Sequence, residues 1–339
     1  MKTAITSPFQ SISDRMASHR SSQAIIYADM LKQTGHSVSI DFGNKFESFD
    51  EYDTLAVYHG NDFGGALNIF GGLKNLDVAE QIVKFSKFKG TVISLGIDYP
   101  DYTGLLKSRM KAGYPEIWDQ VDFDNLDRMK NESVLFTNPI SDKIVIGDSH
   151  AISLYRPGWQ MLSIPFKTLN GVLNGGIEKL IPSTAKEVEF LFGAIDIRHH
   201  LCRVSSDHRK NATDLANRYI NSIQKIDPDI KTVIYVPLPL ESEERKIPTT
   251  GCYKGQPFWG SLVERNIARK AFIDTLTSDN TIRIDVKDPW SYLLNDKNEL
   301  DMEKMEKPRS VHLSREFYPF WQGKNFQPKK EIKTTRSLV

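Results

Sequence analysis

The stretch Lys143-Ile144-Val145-Ile146-Gly147-Asp148-Ser149-His150-Ala151 decides how this chain is read. Ile144, Val145 and Ile146 make a short β-branched run of the kind that forms a strand buried on both faces. Gly147 ends the run, Asp148 and Ser149 follow at once, and a helix-like segment begins soon after. The pattern is strand, tight turn, hydroxyl, helix. In an open α/β sheet ligands bind in the crevice at such turns. A serine placed there lies near a helix N-terminus, where backbone N–H groups can stabilise an oxyanion. An ordinary strand-to-helix turn capped by Asp148 or Ser149 has the same local pattern, so the rest of the chain must distinguish the two.

The remainder of the second half continues the alternation. Strands are expected at Glu187 to Phe192, Thr232 to Val236 and Thr281 to Val286, with helices at Asp214 to Ile226 and Leu262 to Leu276. Alternating β and α elements imply a parallel, doubly wound sheet. The first half has the same character. Thr3 to Thr6, Ser37 to Phe42, Tyr52 to Tyr58 and Thr91 to Ile97 read as strands, and Val78 to Phe88 has helical spacing. Gln23 to Thr34 reads as an amphipathic helix with Ile25, Ile26, Met30 and Leu31 on one side, closed by Gly35. Tyr102 to Thr137 is mixed and is expected to link the domains or pack between them. Asn-Pro-Ile-Ser-Asp at 138–142 breaks the pattern and marks the boundary.

The expectation is therefore an α/β chain of two Rossmann-like parallel-sheet domains, 1–140 and 141–326, followed by a flexible basic tail, 327–339. At 339 residues the chain has room for both. With 44 Lys and Arg against 43 Asp and Glu, the net charge of +1 supplies no global field toward nucleic acid or membrane. Two cysteines, Cys202 and Cys252, make no disulfide framework. No long apolar core of a signal peptide opens the sequence, and no apolar run would span a bilayer. A cytoplasmic protein without membrane partners is expected.

A cluster rich in histidine and arginine, Asp196-Ile197-Arg198-His199-His200-Leu201-Cys202-Arg203, follows the strand that ends near Phe192, on the same sheet edge as Ser149. Arg198 could clamp a phosphate or carboxylate through its fork, and His199 or His200 could act as acid or base. His200, Cys202 and His208 fit no standard zinc spacing, so no metal is expected. Two loops have the glycines or aromatics of a ligand loop or a lid, though His59 to Gly65 equally suits a plain surface loop and Cys252 to Trp259 equally suits a cover over a helix.

On these residues the second half resembles the SGNH (GDSL-type) hydrolases, which implies a flavodoxin-like three-layer sandwich. Gly147-Asp148-Ser149 is similar to the first block of that family, Gly193-Ala194-Ile195-Asp196 to the third, and Val311-His312-Leu313-Ser314, ahead of an aromatic helix at Phe317 to Trp321, to the last. The resemblance implies that Ser149 is the nucleophile and His312 its base, with Asp148 and Asp196 among the catalytic groups. A glycine N–H of the second block would come from Gly171, Gly175 or Gly176. Each oxyanion donor is worth roughly 3–4 kcal/mol. Two positions depart from the pattern: Ile195 stands where the family has an oxyanion-hole asparagine, and Arg309 where it has the aspartate that orients the histidine. Asp288, Asp296 or Asp301 could substitute. Arg198, His199, His200, Gly193, Gly175 and Arg309 are the candidate substrate contacts.

The implied function is a serine-dependent ester hydrolase or acyl-transfer enzyme acting on an acylated carbohydrate-like small molecule, without a cofactor. A second, local resemblance supports an alternative. Gly35-His36-x-Val38-x-Ile40, and Phe70-Gly71-Gly72 followed by Asp98 at a strand end, are similar to two-domain glycosyltransferases such as phage DNA β-glucosyltransferases. That resemblance implies a nucleotide-sugar co-substrate, a nucleic-acid partner and Asp98 as base. A third reading is a non-catalytic carbohydrate-binding protein on a degenerate hydrolase scaffold.

Overall fold

The structure is a computed structural model. It describes residues 1–7, 12, 19–43, 45–58, 76–95, 101–109, 115–136, 141–164, 167–241, 255, 259–278, 284–296, 299–306 and 310–320. Two five-stranded sheets, each wholly parallel, organise the chain. The first has β1 (Lys2–Thr6), β2 (Ser37–Ile40), β3 (Thr54–Tyr58), β4 (Thr91–Leu95) and β5 (Val134–Leu135), in the order β2-β1-β3-β4-β5. The second has β6 (Lys143–Gly147), β7 (Gln160–Ser163), β8 (Glu187–Leu191), β9 (Lys231–Tyr235) and β10 (Ile284–Lys287), in the order β10-β9-β8-β6-β7. Two α/β units with parallel sheets are therefore present. Both have the same doubly wound order, in which the first strand is flanked by the second and third.

That order has a direct consequence for function. The winding reverses between β1 and β3 in one sheet and between β6 and β8 in the other, and ligand crevices open beyond the carboxyl ends of such strand pairs. Ser149 follows β6 and the turn Gly193 to Asp196 follows β8. The corresponding loop after β3, with the glycines at 59–65, lies outside the described residues.

The helices are α1 (His19–Gln33), α2 (Leu76–Ser86), α3 (Tyr102–Arg109), α4 (Pro115–Trp118), α5 (Phe123–Glu132), α6 (Leu169–Gly175), α7 (Ala194–His199), α8 (Leu201–Val204), α9 (His208–Ile223) and α10 (Leu262–Ser278). In the second sheet, strand alternation separates two apolar layers. Ile144, Ile146, Val188, Phe190 and Ile234 face α6, α9 and α10, while Val145, Val233 and Tyr235 face Trp290, Leu293 and Leu313.

Three expectations are corrected. The helix α1 is not apolar on one side only. Ile26 and Met30 pack into the layer behind the second sheet, whereas Ala24, Ala28 and Leu31 pack onto the first. Being covered on both sides, it needs no single apolar stripe. Tyr155 Oη donates to Asp29 Oδ2 at 2.6 Å and adds a polar tie between α1 and the second unit. The segment from Tyr102 is also not a linker, since Tyr102, Leu106, Trp118, Leu126 and Met129 are buried against the first sheet through α3, α4 and α5. The aromatic helix expected at Phe317 to Trp321 is, among the described residues, a single 3-10 turn, Arg315–Phe317. No helix among the described residues is long and apolar enough to cross a membrane. The expected tail, 327–339, lies outside the described residues.

Candidate active site

The turn after β6 is built by close packing. A Cβ on Gly147 would lie 2.2 Å from the Leu191 carbonyl oxygen and 2.7 Å from Ala151 Cβ, so β6 and β8 meet where only glycine fits. The Asp148 N–H continues the ladder to the Leu191 carbonyl at 3.1 Å, and Asp148 Oδ1 then accepts the His150 N–H at 2.9 Å. This side-chain turn holds Ser149 at the tip, half-exposed, while Asp148 and His150 on either side are buried. Burial pushes the Asp148 carboxyl up to about 7, and the His150 amide and the Arg198 charge pull it the other way. The Ser149 N–H has no acceptor among the described residues and is a donor open to an oxyanion.

His312 reaches this turn from the far end of the chain. Its Nε2 lies 2.9 Å from Ser149 Oγ. A small antiparallel pair carries it: Met305 bridges Leu313, the Glu306 N–H donates to the His312 carbonyl at 2.9 Å, and the Ser314 N–H donates to the Lys304 carbonyl at 2.9 Å. This pairing puts Glu306 beside His312, with Oε1 3.8 Å from Nδ1. Ser310 Oγ donates to the same Oε1 at 2.8 Å and accepts the His312 N–H at 3.2 Å. Glu306 is thus the carboxylate that the structure brings to the imidazole. Asp288 accepts from the Trp290 N–H, and Asp301 accepts from the Glu303 N–H and pairs with Lys304, so each has its own turn to hold. Asp296 is exposed. Arg309 lies outside the described residues. The sequence signal for Glu306 was available: an acid and the histidine stand on either side of Lys307-Pro308-Arg309 in sequence, between apolar Met305 and Leu313.

The other candidates take different places. Asp196, expected to be catalytic, is buried and caps α6. Its Oδ2 accepts the Leu169 N–H at 2.6 Å and its Oδ1 the Asn170 N–H at 3.1 Å. Burial raises its pKa and those two amides oppose the rise. Arg198, expected to clamp a substrate anion, is buried and turned inward. Its Nε lies 2.6 and 2.7 Å from the two oxygens of buried Glu241, and its Nη1 2.9 Å from His150 Nε2. A guanidinium has only donors, so His150 Nε2 accepts and its proton sits on Nδ1, which makes the ring neutral. That ring lies 5.1 Å from the His312 ring, centroid to centroid.

His199 is buried. His200 is half-buried, and desolvation lowers its pKa against the pull of Asp196. Gly193 takes a left-handed conformation, φ 105°, to turn the chain from β8 into α7. Gly175 ends α6. The Gly171 N–H donates to Thr168 Oγ1 at 2.9 Å within the α6 cap. Ile195 is buried and brings no donor. Of the metal set, His208 contacts Glu264 at 3.2 Å, and among the described residues no three His, Cys, Asp or Glu side chains are grouped to hold a metal ion. Gly72, Asp98 and Cys252 lie outside the described residues.

No family model matches the chain, and no curated protein matches it. Among solved structures it is similar to a protein from Streptococcus pneumonia described provisionally as a platelet activating factor, at 16% identity and a TM-score of 0.39, over 53% of this chain and 79% of that one.

Proposed function

We propose that the protein is a serine-dependent ester hydrolase or acyl-transfer enzyme acting on an acylated carbohydrate-like substrate. One observation carries this reading: a serine hydroxyl and an imidazole 163 positions apart meet at 2.9 Å on the crevice edge of a parallel sheet. A serine hydroxyl is a weak nucleophile near neutral pH and needs a base within hydrogen-bond reach. His312 Nε2 takes the Ser149 proton as Oγ bonds to the ester carbonyl carbon. The carbonyl oxygen then becomes an oxyanion facing the Ser149 N–H. The C–O bond to the alcohol breaks as His312 returns the proton to that alcohol, leaving an acyl-Ser149. Water, or a second alcohol in acyl transfer, repeats the steps in reverse and frees the serine. Glu306 faces Nδ1, favouring the proton there in the resting ring and the cation that forms in each half-reaction. The ester class comes from this chemistry; the carbohydrate part comes from the family resemblance.

The test is turnover of p-nitrophenyl acetate together with labelling by a fluorophosphonate. Wild type turns over the ester and takes one label, on Ser149, and Ser149→Ala loses both. A wild type that neither labels nor hydrolyses any of a broad panel of short-chain esters overturns the proposal.

A further inference from the structure

An open pocket of about 530 Å³ lies among the helices that follow β7 and β8. Its walls include Asn170 from α6, Asp196 and His200 from α7 and the residue that follows it, Arg203 from α8, and Asp214 and Arg218 from α9. α6 follows β7 and α7 follows β8, so both begin at the carboxyl edge of the second sheet, and α8 and α9 continue the crossover from β8 to β9. Asp196 follows β8, Ser149 follows β6, and the two strands pair with Gly147 opposite Leu191. One wall of the pocket, Asp196, therefore belongs to the loop neighbouring the one that carries Ser149.

Two carboxylates and two guanidinium groups line it, and they are engaged differently. Asp196 is held by two backbone amides, and Asp214 is paired with Lys210 at 2.6 Å. The two arginines have no such neutralisation, since no carboxylate pairs with Arg203 or Arg218 among the described residues. Arg203 lies over the Trp259 ring, 5.0 Å from its centroid. Arg218 is held by neutral oxygens, with Nη1 on Asn170 Oδ1 at 2.7 Å and Nη2 on Asn174 Oδ1 at 2.8 Å. A guanidinium fork oriented in advance and left without a counter-charge suits the planar oxygens of a carboxylate or the face of a phosphate. Leu201, Val204 and Leu215 supply apolar wall for the body of a ligand.

We propose that this pocket is an anion-binding subsite, and that the ester substrate carries a carboxylate or phosphate that Arg203 and Arg218 hold while its acyl group reaches Ser149. The assignment to an ester rests on the reading under Proposed function; the anion site itself does not. It also places the recognition of charge on arginines at the surface, because Arg198 is committed to Glu241.

Titration calorimetry at low salt with galacturonate, glucose 6-phosphate and glucose tests it on the full chain. At least one acidic sugar binds, glucose binds at least tenfold more weakly, and affinity falls as salt is raised. Binding of galacturonate alone identifies a carboxylate, and of glucose 6-phosphate alone a phosphate. Arg203→Gln and Arg218→Gln, both exposed and so compatible with folding, each weaken the acidic sugar by about tenfold. Ser149→Ala leaves binding unchanged. Absence of binding by both acidic sugars, equal binding of glucose, or unchanged affinity in both arginine variants overturns the proposal. Anion binding in a protein without esterase activity would overturn only the hydrolase reading and leave this site standing.

Discussion

Arg198 Nη1 stands 2.9 Å from His150 Nε2, while Arg198 Nε is shared by both oxygens of Glu241. All three side chains are buried. This array lies directly behind the candidate dyad and gives His312 a neutral, not a cationic, ring as neighbour. Removing one partner of a buried ion pair leaves an uncompensated charge and costs roughly 3–5 kcal/mol, whereas replacing both with apolar groups costs much less. Arg198→Met should therefore lower stability in urea by roughly that amount, and Arg198→Met with Glu241→Leu should recover most of it. Equal loss in the single and double variants would contradict the buried pairing. Nitrogen-15 spectra of the wild type should show His150 protonated on Nδ1.

Glu306 is 3.8 Å from His312 Nδ1, too far for a hydrogen bond but close enough to act as a charge. Glu306→Gln should lower kcat/KM for an aryl ester by roughly 10- to 100-fold, with a smaller change in KM and a melting temperature close to that of wild type. Asp288→Asn and Asp301→Asn, which alter carboxylates with turns of their own, should leave turnover unchanged. If either aspartate variant is the slow one, the orienting group has been placed wrongly.

The Asp148 carboxyl offers a pH signature in stability. Its pKa is raised by burial from the ordinary carboxylate range to about 7 in the folded protein, so the native state binds this proton more tightly than the unfolded chain does. The contribution is complete below about pH 4, is lost as pH rises toward 7, and is flat above that. Its ceiling is roughly 4 kcal/mol. Asp148→Asn keeps an oxygen for the His150 amide but cannot titrate. Denaturant midpoints measured from pH 4 to 8 should fall less steeply with rising pH in this variant. Parallel slopes in the two proteins would remove Asp148 as the source.

Much of this was legible along the chain. The run Ile144 to Ile146, the glycine after it and the later strands imply a parallel sheet with a serine at its edge, because β-branched runs and turn residues act over a few positions. Less was legible where a residue's role depends on what meets it. Arg198, expected at the substrate, is committed to Glu241, 43 positions away. Asp196 caps a helix that precedes it in sequence by some 25 residues. The short edge strands β5 and β7 carry too few residues to show an alternation.

The sequence by itself determined the parallel α/β character and the tight turn at Gly147, and its resemblance to the SGNH hydrolases implied a hydroxyl and an imidazole as the chemistry to look for. Only the tertiary structure decided that α1 is packed by both sheets, that Glu306 and not one of the aspartates upstream of it faces His312, and that Arg203 and Arg218 line one pocket with no carboxylate partner among the described residues. The reason is physical. Local spacing governs backbone conformation, whereas the partner and charge balance of a side chain depend on which distant segments bury it.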